Sequence, residues 1–470
     1  MHRHTPRFLP LTLTAGLALA LTSAVPVLAQ EISPDPSPTS APAGDACVEP
    51  EATLAPLTEE TLSIPEDFRI ELFESVWGGI REFYVDPDTN GLDWEAVGDE
   101  YAQLVIATDN AYEVYDLLRE MVEELDDPYT NFYAPEDLGS AAAYDPTYGG
   151  IGALLDTSTA GEDSPGLRIL YVFDGGSAKE AGIAARDSII GVEGDSCARI
   201  VDIRGPEGTD VTLTVVSPGA SPREVTLERR RITPDITPVV RRLQLDPSIG
   251  YLQVLALSGV ETVDAIEQGL TELLRGDSLE GLVLDLRASD QGAPGVLLET
   301  LRTFVEGEVG EYHSRASEVE PIEIEPGDLA AGYADVPVVV LVDEQTEADA
   351  EQLAAILQDQ GRATIVGTET SGKTHGATAA DLPDGSLLQI VTYGFQLPDG
   401  QTLEGVGVTP DVVVEADWLG YAEAEDPFLL AALEVLSSAA EAEAVATSEP
   451  AASVEPAASA EPAASAEPAG

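Results

Sequence analysis

Apolar residues recur at helical spacing between Phe68 and Leu125. They lie three or four residues apart, the period of one helix face, at Phe73, Val76, Ile80 and Phe83 and again at Leu117, Leu118, Met121, Val122 and Leu125. This pattern predicts a helical N-terminal region, which we assign to residues 57–137.

The sequence pattern changes near Gly149. From there to Leu227, short runs of β-branched residues, at 167–173 and 211–216, alternate with Gly/Pro turns and predict a compact β-rich module at residues 138–232. From Ile249 onward, apolar strands alternate with helical stretches, which is typical of an α/β core. We assign this core to residues 233–440, so the predicted fold class is multidomain α/β.

Both ends of the chain differ in composition from this middle part. Arg3 and Arg7 precede an apolar run that closes on Val27-Leu28-Ala29, which predicts a signal peptide at residues 1–29 and an exported protein, extracellular or in the cell envelope. Residues 30–56 are rich in Pro, Ser, Ala and Glu and predict a disordered linker. A Glu-Pro-Ala-Ala-Ser unit recurs every six residues from Glu449, so residues 441–470 are predicted to be a disordered acidic tail. No other segment approaches the ~20 apolar residues of a membrane span, and we expect no stable membrane insertion after signal cleavage.

Charge and rare residues narrow the function. The 470 residues carry 22 basic and 86 acidic side chains, a net charge of −64, which argues against nucleic acid as a partner. Cys47 and Cys197 either pair in an oxidising compartment or remain two thiols. Beyond the signal peptide only His313 and His375 remain, outside any ligand-spaced motif, so we expect no metal site and no cofactor.

One lysine is a candidate for chemistry. The chain contains two lysines and twenty arginines, and Lys373 ends the segment Gly367-Thr-Glu-Thr-Ser-Gly-Lys373. Unlike arginine, a lysine can lose its proton when it is buried and then serve as a general base. The alternative is an ordinary surface lysine.

Several short motifs, in order along residues 70–440, resemble the carboxyl-terminal processing peptidases, also called tail-specific proteases. The matching segments are Leu125-Asp-Asp-Pro-Tyr-Thr-Asn-Phe132, Tyr148-Gly-Gly-Ile-Gly152, Ser177-Ala-Lys-Glu-Ala-Gly-Ile183, Arg204-Gly-Pro-Glu-Gly-Thr209, Ile249-Gly-Tyr251, Gly281-Leu-Val-Leu-Asp-Leu-Arg287, Leu357-Gln-Asp-Gln-Gly-Arg-Ala363, Gly372-Lys373 and Gly405-Val-Gly-Val-Thr-Pro-Asp411. The resemblance implies an exported serine peptidase with a Ser/Lys pair, an inserted PDZ domain and a crotonase-like α/β core.

The resemblance also implies site residues. Lys373 matches the lysine that takes the proton from the serine hydroxyl, and Asp359 matches an acidic residue near that site. Counting back from these two positions places the nucleophile at Ala348, and residues 342–353 contain no serine. The one hydroxyl in the segment belongs to Thr346, which we expect to cap a helix running to Gln360.

The neighbours of Ala348 differ from the family pattern as well. Glu347 and Asp349 replace small residues, and both are expected to hold Lys373 protonated and to repel a developing oxyanion. The family's Asn-Asn-Pro-Gly-Gly turn is replaced by Ala288-Ser-Asp-Gln-Gly292, so the backbone that shapes this part of the site is expected to differ.

In the PDZ-like part, the loop formed by Gly149, Gly150, Ile151 and Gly152 resembles the family's carboxylate-binding loop, which holds the C-terminus of a peptide that adds as a β-strand. The stretch between Cys197 and Arg204, where the second PDZ helix normally forms one wall of the groove, is short. The expected partner is a polypeptide C-terminus, bound weakly.

Three functions follow from these observations. The first is a secreted pseudoprotease that keeps the fold and binds peptide ends. The second is an active serine-type endopeptidase whose nucleophile is another hydroxyl, with Thr346, Ser371 and Thr374 as candidates. The third is a structural envelope protein, indicated only by the acidic repeat tail.

Overall fold

The computed structural model describes residues 63–448, apart from 136, 138–147, 157–165, 197, 233–235, 277 and 316. The predicted signal peptide (1–29), the linker (30–56), Cys47, Cys197 and the repeats from Glu449 onward lie outside the described residues, so what the sequence predicts for them stays a prediction. No helix within the described part of the chain is long and apolar enough to cross a membrane.

Three helices form the first described region: α1 (Glu66–Phe83), α2 (Trp94–Ala107) and α3 (Ala111–Glu123). Side chains cap two of them, since Asp93 accepts a hydrogen bond from the Ala96 N–H and Asn110 accepts one from the Tyr112 N–H. Their apolar faces share a buried cluster with a strand of the core, which contributes Leu388, Ile390 and Val391. The helices are therefore packed onto the core.

The β-rich module follows a short strand, β1 (Asn131–Tyr133). Its elements are β2 (Tyr148–Gly150), β3 (Ala153–Asp156), β4 (Leu167–Val172), α4 (Ser177–Glu180), β5 (Ser188–Val192), α5 (Ile200–Ile203), β6 (Asp210–Val216), β7 (Arg223–Glu228) and β8 (Arg230–Ile232). β3 to β7 form one antiparallel sheet in sequence order, with β3 at an edge, and β2 pairs with β8. In β6 the alternate residues Val211, Leu213 and Val215 are buried, as the two-residue period of a strand requires.

The remaining elements build the α/β core. They are β9 (Val239–Arg242), β10 (Ile249–Gln253), α6 (Val260–Arg275), β11 (Gly281–Asp285), α7 (Pro294–Leu301), β12 (Gly307–Ser314), β13 (Ser317–Ile324), α8 (Ala330–Tyr333), β14 (Val338–Val342), α9 (Ala348–Asp359), β15 (Ala363–Gly367), β16 (Gly376–Asp381), β17 (Leu387–Gln396), β18 (Val412–Val413) and α10 (Pro427–Ser448).

The core contains two sheets among the described strands. One has the order β18-β15-β14-β11-β10-β9 and is parallel except for β9; the other has the order β1-β17-β12-β13, with β16 also paired to β17. β11 and β14 lie inside the first sheet and are buried along their whole length, which explains their continuous apolar sequences. The loops that leave their carboxyl ends meet, and this edge is where open α/β sheets place their sites.

A buried charged cluster ties the module to the core beside this edge. The Arg287 guanidinium donates to Asp285 (2.6 Å between Nη2 and Oδ2) and to Asp426 (3.0 Å between Nη1 and Oδ2), and all three side chains are fully buried. Arg186 of the module donates to the same Asp426 carboxylate at 2.7 Å, and Tyr251 donates to Asp285 at 2.7 Å. Because a buried charge without a partner is costly, this cluster fixes the segment that leads into the turn at 288–292.

One predicted boundary is wrong. Residues 441–448, assigned from composition to the acidic tail, continue helix α10 as far as Ser448. Their sequence is rich in alanine and glutamate, which are good helix formers, whereas the proline that opposes a helix first appears at position 450.

Candidate active site

The site lies at the first turn of α9, directly after the loop that follows β14. The Asp343 carboxylate fixes this loop, because it accepts hydrogen bonds from the Ala288 N–H and from the Trp418 indole, both at 3.0 Å. The backbone N–H of Glu347 donates to the carbonyl of Ser289 at 2.9 Å. The loop before α9 and the turn at 288–292 therefore form one hydrogen-bonded unit.

Ala348, which the count between motifs assigns to the nucleophile position, has an unusual backbone conformation. Its φ is 52°, in the left-handed region that side-chain-bearing residues rarely adopt. Its N–H donates to the carbonyl of Lys373 at 2.8 Å. The structure thus brings Ala348 and Lys373 together, and the backbone at Ala348 is strained.

This strain gives a stability prediction. We expect Ala348→Gly to raise the free energy of unfolding by about 1 kcal/mol, because glycine adopts a positive φ without the steric cost that alanine meets. The control is Ala355→Gly, a buried alanine in the middle of the same helix, which we expect to lower it by about 1 kcal/mol. Urea denaturation of both variants measures the difference. A loss of stability at position 348 as large as that at position 355 would contradict the strained conformation.

The Lys373 side chain is held by an acidic neighbour. Its Nζ lies 2.8 Å from Glu347 Oε1, and the two side chains are 32% and 18% exposed. The same Nζ lies 5.8 Å from the centre of the Tyr129 ring. A carboxylate at this distance favours the ammonium form of lysine, which is unable to accept a proton. The interaction that the sequence predicted for Glu347 is therefore present in the geometry.

The prediction that the Asp349 carboxylate acts on Lys373 is wrong. The Asp349 side chain lies against Gly292 rather than beside Lys373: a Cβ on Gly292 would come within 2.3 Å of Asp349 Oδ2. Asp349 is 6% exposed, and burial raises the pKa of its carboxyl to about 7. Glu347 is extended (φ −134°, ψ 171°) and Ala348 has a positive φ, so the backbone turns sharply between positions 347 and 349 and the two side chains have different neighbours.

Glu351 anchors the segment that carries Lys373. Its buried carboxylate accepts hydrogen bonds from the Thr370 hydroxyl, from the Gly372 N–H at 2.7 Å and from the Lys373 N–H at 2.9 Å. Burial raises the pKa of this carboxyl. The sequence contained the signal, a glutamate three residues after position 348, but did not reveal that it binds the backbone beside Lys373. Tyr129 is a second residue that the sequence did not assign to the site, although it lies in a matched motif.

Thr346 does not cap the helix. The capping position of α9 is Glu347, without a side-chain hydrogen bond, and the buried Thr346 hydroxyl donates instead to the Leu286 carbonyl at 3.0 Å. The same hydroxyl accepts from the Asp343 N–H at 3.0 Å. The Thr346 hydroxyl, which the local sequence pattern assigned to the helix cap, therefore forms tertiary hydrogen bonds instead.

The other two candidate hydroxyls are also inside the protein. The Ser371 Oγ is buried and has no hydrogen-bond partner. Thr374 is buried, and its hydroxyl donates to Glu404 Oε2 at 3.3 Å. Neither these two hydroxyls nor that of Thr346 is exposed to a substrate, so the geometry gives no support to a replacement nucleophile among them.

Asp359 is not brought to this site. It is exposed at the carboxyl end of α9, and its carboxylate accepts a hydrogen bond from the neighbouring Gln360 side chain. Eleven residues of helix separate it from Ala348, which is roughly 16 Å along the axis. The sequence motif places Asp359 on the right helix but at the wrong end for contact with Lys373.

The predicted carboxylate-binding loop joins β2 to β3. The carbonyls of Gly149, Ile151 and Gly152 accept hydrogen bonds from the N–H groups of Gly205, Ala178 and Phe173 at 3.0, 2.9 and 2.9 Å. In a trans peptide the N–H points away from the carbonyl, so the N–H groups of residues 152 and 153 face away from these partners. Gly149 is required here, because a Cβ would lie 2.1 Å from the Gly205 carbonyl oxygen. The short stretch at 197–204 contains only the single-turn helix α5 among its described residues.

Comparison with known proteins relates this chain to a family of peptidases. Residues 248–414 match peptidase family S41, and residues 65–123 match the Tricorn protease C1 domain. The chain is 30% identical over 367 residues to the chloroplastic C-terminal processing peptidase of Tetradesmus obliquus, covering 74% of this chain and 78% of that one. It is 28% identical over 383 residues to the carboxyl-terminal-processing protease of Synechocystis, covering 79% and 86%.

A solved structure has the same fold. The photosystem II D1 C-terminal processing protease superimposes with a TM-score of 0.52 and 25% identity, over 76% of this chain and 98% of that chain. The helices and the mixed sheets together define a protein of the S41 peptidase class. The chain belongs to the carboxyl-terminal processing peptidase family, and the resemblance drawn from its motifs is confirmed.

Proposed function

We propose that this protein is an exported pseudoprotease, which retains the peptidase fold and binds polypeptide C-termini without cleaving them. One observation carries the proposal: Lys373 Nζ lies 2.8 Å from Glu347 Oε1, directly beside Ala348, which the count between motifs assigns to the nucleophile position. Acyl transfer by a Ser/Lys pair requires a hydroxyl to attack and a neutral amine to take its proton. Ala348 supplies no hydroxyl, and the Glu347 carboxylate opposes the neutral form of the Lys373 amine.

Peptide binding is proposed for the PDZ-like module, at strand β3. β3 lies at the edge of its sheet, so an extended peptide can add beside it and form main-chain hydrogen bonds. The glycine loop directly before β3 would receive the C-terminal carboxylate, with the N–H groups of residues 152 and 153 as donors. Because α5 is a single turn, the wall of the groove is short, and we expect weak affinity.

The peptide-binding strand adjoins the silenced site. Asp156, the last residue of β3, accepts a hydrogen bond at 3.4 Å from the Gln345 side chain, which belongs to the loop before Ala348. A polypeptide held along β3 would therefore lie next to the entrance of α9.

Two assays of the purified protein test this proposal. We expect no cleavage of an unstructured, C-terminally tagged peptide, and we expect that peptide to bind at least about tenfold more tightly with a free carboxylate than as its C-terminal amide, because the loop donors pair with a charged group. Fluorescence anisotropy of the acid and the amide forms measures the ratio. Cleavage by the wild-type chain that Lys373→Ala abolishes would show an active peptidase, and equal binding of the two forms would exclude the carboxylate loop.

A further inference from the structure

The side of the first turn of α9 that faces away from Lys373 carries a buried carboxylate. Asp349 is 6% exposed, and its Oδ1 has no hydrogen-bond partner. The carboxylate lies against the backbone of Gly292, where no side chain would fit. Buried polar atoms in folded proteins are nearly always satisfied, so this oxygen needs an explanation.

Two tyrosine rings lie near the face of α9 that carries this carboxylate, since Tyr312 bonds to Gln352, which follows Asp349 by three residues on the helix. Tyr312 of β12 and Tyr393 of β17 meet edge to face, with ring centres 5.5 Å apart and an angle of 86°. Burial raises the pKa of both hydroxyls, and the Asp349 charge raises them further. The Tyr312 hydroxyl donates to Gln352 Oε1 at 3.1 Å, and the Tyr393 ring lies over Gly376. Aromatic rings beside a carboxylate form a favourable environment for an organic cation.

Other unsatisfied polar atoms lie around the same helix turn. The Ser289 Oγ belongs to the turn that accepts the Glu347 N–H, and the Ser371 Oγ belongs to the residue whose N–H donates to the Thr346 carbonyl. Both oxygens are buried and without a partner, as Asp349 Oδ1 is. Three buried oxygens without hydrogen-bond partners around the first turn of α9 indicate a ligand site rather than imperfect packing.

We propose that Asp349, with Tyr312 and Tyr393, binds a singly charged organic cation, the ammonium or guanidinium group of a lysine or arginine side chain in the bound polypeptide. The identity of the ligand rests on the proposed function, since it is the captured chain that supplies the side chain. A monovalent cation fits a single carboxylate with aromatic neighbours. A divalent metal ion requires several anionic or imidazole ligands, and no group of three such side chains is placed to hold one within the described ranges.

Binding of a cation at Asp349 should depend on pH, and the direction follows from the pKa of the carboxyl. The pKa of Asp349 is raised to about 7 by burial, so the carboxylate that pairs with a cation forms mainly above that pH. The titratable groups facing it are Tyr312 and Tyr393, whose raised pKa values keep them neutral. Lys373, in the neighbouring segment after β15, is paired with Glu347, and on the turn of Gly292 the side chain of Asp290 is exposed. Cation binding should therefore weaken as the pH falls from 8 to 6.

The test uses n-butylammonium chloride as the probe and n-pentanol as its neutral isostere, at constant ionic strength. We expect a saturable change in the NMR or fluorescence signal of the tyrosines with n-butylammonium at pH 8, at least about tenfold weaker binding in Asp349→Asn, and no saturable response to n-pentanol. Asp264→Asn removes an exposed helix carboxylate and controls for non-specific attraction of cations to a chain of net charge −64. This control should bind the probe as the wild type does.

The outcomes separate the two proposals. If Asp349→Asn binds n-butylammonium as tightly as the wild type at pH 8, the cation site is wrong, whatever the peptides do. If the probe binds at Asp349 while acid and amide peptides bind equally, the cation site stands and capture of C-termini fails. Because Asp349→Asn relieves the burial of a charge, loss of folding is not expected to obscure the comparison.

Discussion

Ala348→Ser alone is expected to give no measurable peptidase activity, whereas the triple variant Glu347→Ala, Ala348→Ser, Asp349→Ala should exceed that single variant by at least about 10²-fold in kcat/KM, the lower range of general base catalysis. Restoring the hydroxyl supplies the nucleophile. The hydroxyl remains inactive as long as Glu347, 2.8 Å from Lys373 Nζ, keeps the lysine protonated.

The two carboxylates act on different steps. Glu347 opposes proton transfer, since it pairs with the lysine amine. Asp349 lies against Gly292, so it places a carboxyl group at the turn that borders the attacking position and opposes an oxyanion there. Removing either one alone leaves the other obstacle in place. We therefore expect the activity of the triple variant to exceed the product of the separate effects.

A charge-matched variant controls for the loss of two acidic residues. Glu344→Ala, Ala348→Ser, Asp264→Ala removes two exposed carboxylates and adds the same serine, and it should be as inactive as Ala348→Ser. Adding Lys373→Ala to the active triple variant should abolish cleavage. Activity that survives this change would mean that Lys373 is not the base and that the assignment of the site is wrong.

Counting along the sequence was enough to place three residues close together in the structure. Ala348 and Lys373 were assigned by counting between motifs, and the N–H of the first bonds to the carbonyl of the second. Glu347 was assigned by adjacency, and it does pair with the lysine. The three residues lie together because hydrogen bonds fix the loop before α9 and the segment that carries Lys373.

The predictions that failed depend on where a side chain lies in three dimensions, which the sequence alone does not give. Asp359 shares the helix of Ala348, but the helix rise carries it roughly 16 Å away. Thr346 matches a capping pattern, yet its hydroxyl donates to the carbonyl of Leu286, which directly follows β11. Asp349 is two residues from Glu347, but the positive φ of Ala348 turns the backbone between them, and the Asp349 side chain lies against Gly292. In each case the decisive partner comes from another part of the chain.

The boundary of the acidic tail is a further prediction that failed because composition alone does not show what packs into the core. The alanine and glutamate residues before Pro450 were grouped with the repeats because their composition is similar. α10 begins with buried apolar residues, Phe428 and Leu429, which pack into the core. Once such a helix is nucleated, each further residue adds a hydrogen bond at little cost, so good helix formers extend it to Ser448.

Asp349→Asn is expected to stabilise the protein at neutral and alkaline pH, by an amount that grows as the pH rises from 5 and levels off near pH 8. Burial raises the pKa of Asp349 from 3.8 to about 7, so the folded state keeps a proton that the unfolded chain has released between these values. The wild type therefore loses stability through this range, by about 1.4 kcal/mol per pH unit, and loses no more from this group above pH 7. Asparagine is similar in size but does not titrate, so it lacks this loss.

The measurement is the difference in unfolding free energy between Asp349→Asn and the wild type, from urea denaturation at pH 5, 6, 7 and 8. The difference should increase by about 3 kcal/mol from pH 5 to pH 8 and level off near pH 8, because the proton that distinguishes the two proteins has then been lost from both states. Effects of the many other carboxylates cancel in this difference. Asp264→Asn, at an exposed position, should give a flat line. A flat line for Asp349→Asn as well would mean that its carboxylate is solvated in the folded state, and the burial on which the cation site also depends would be wrong.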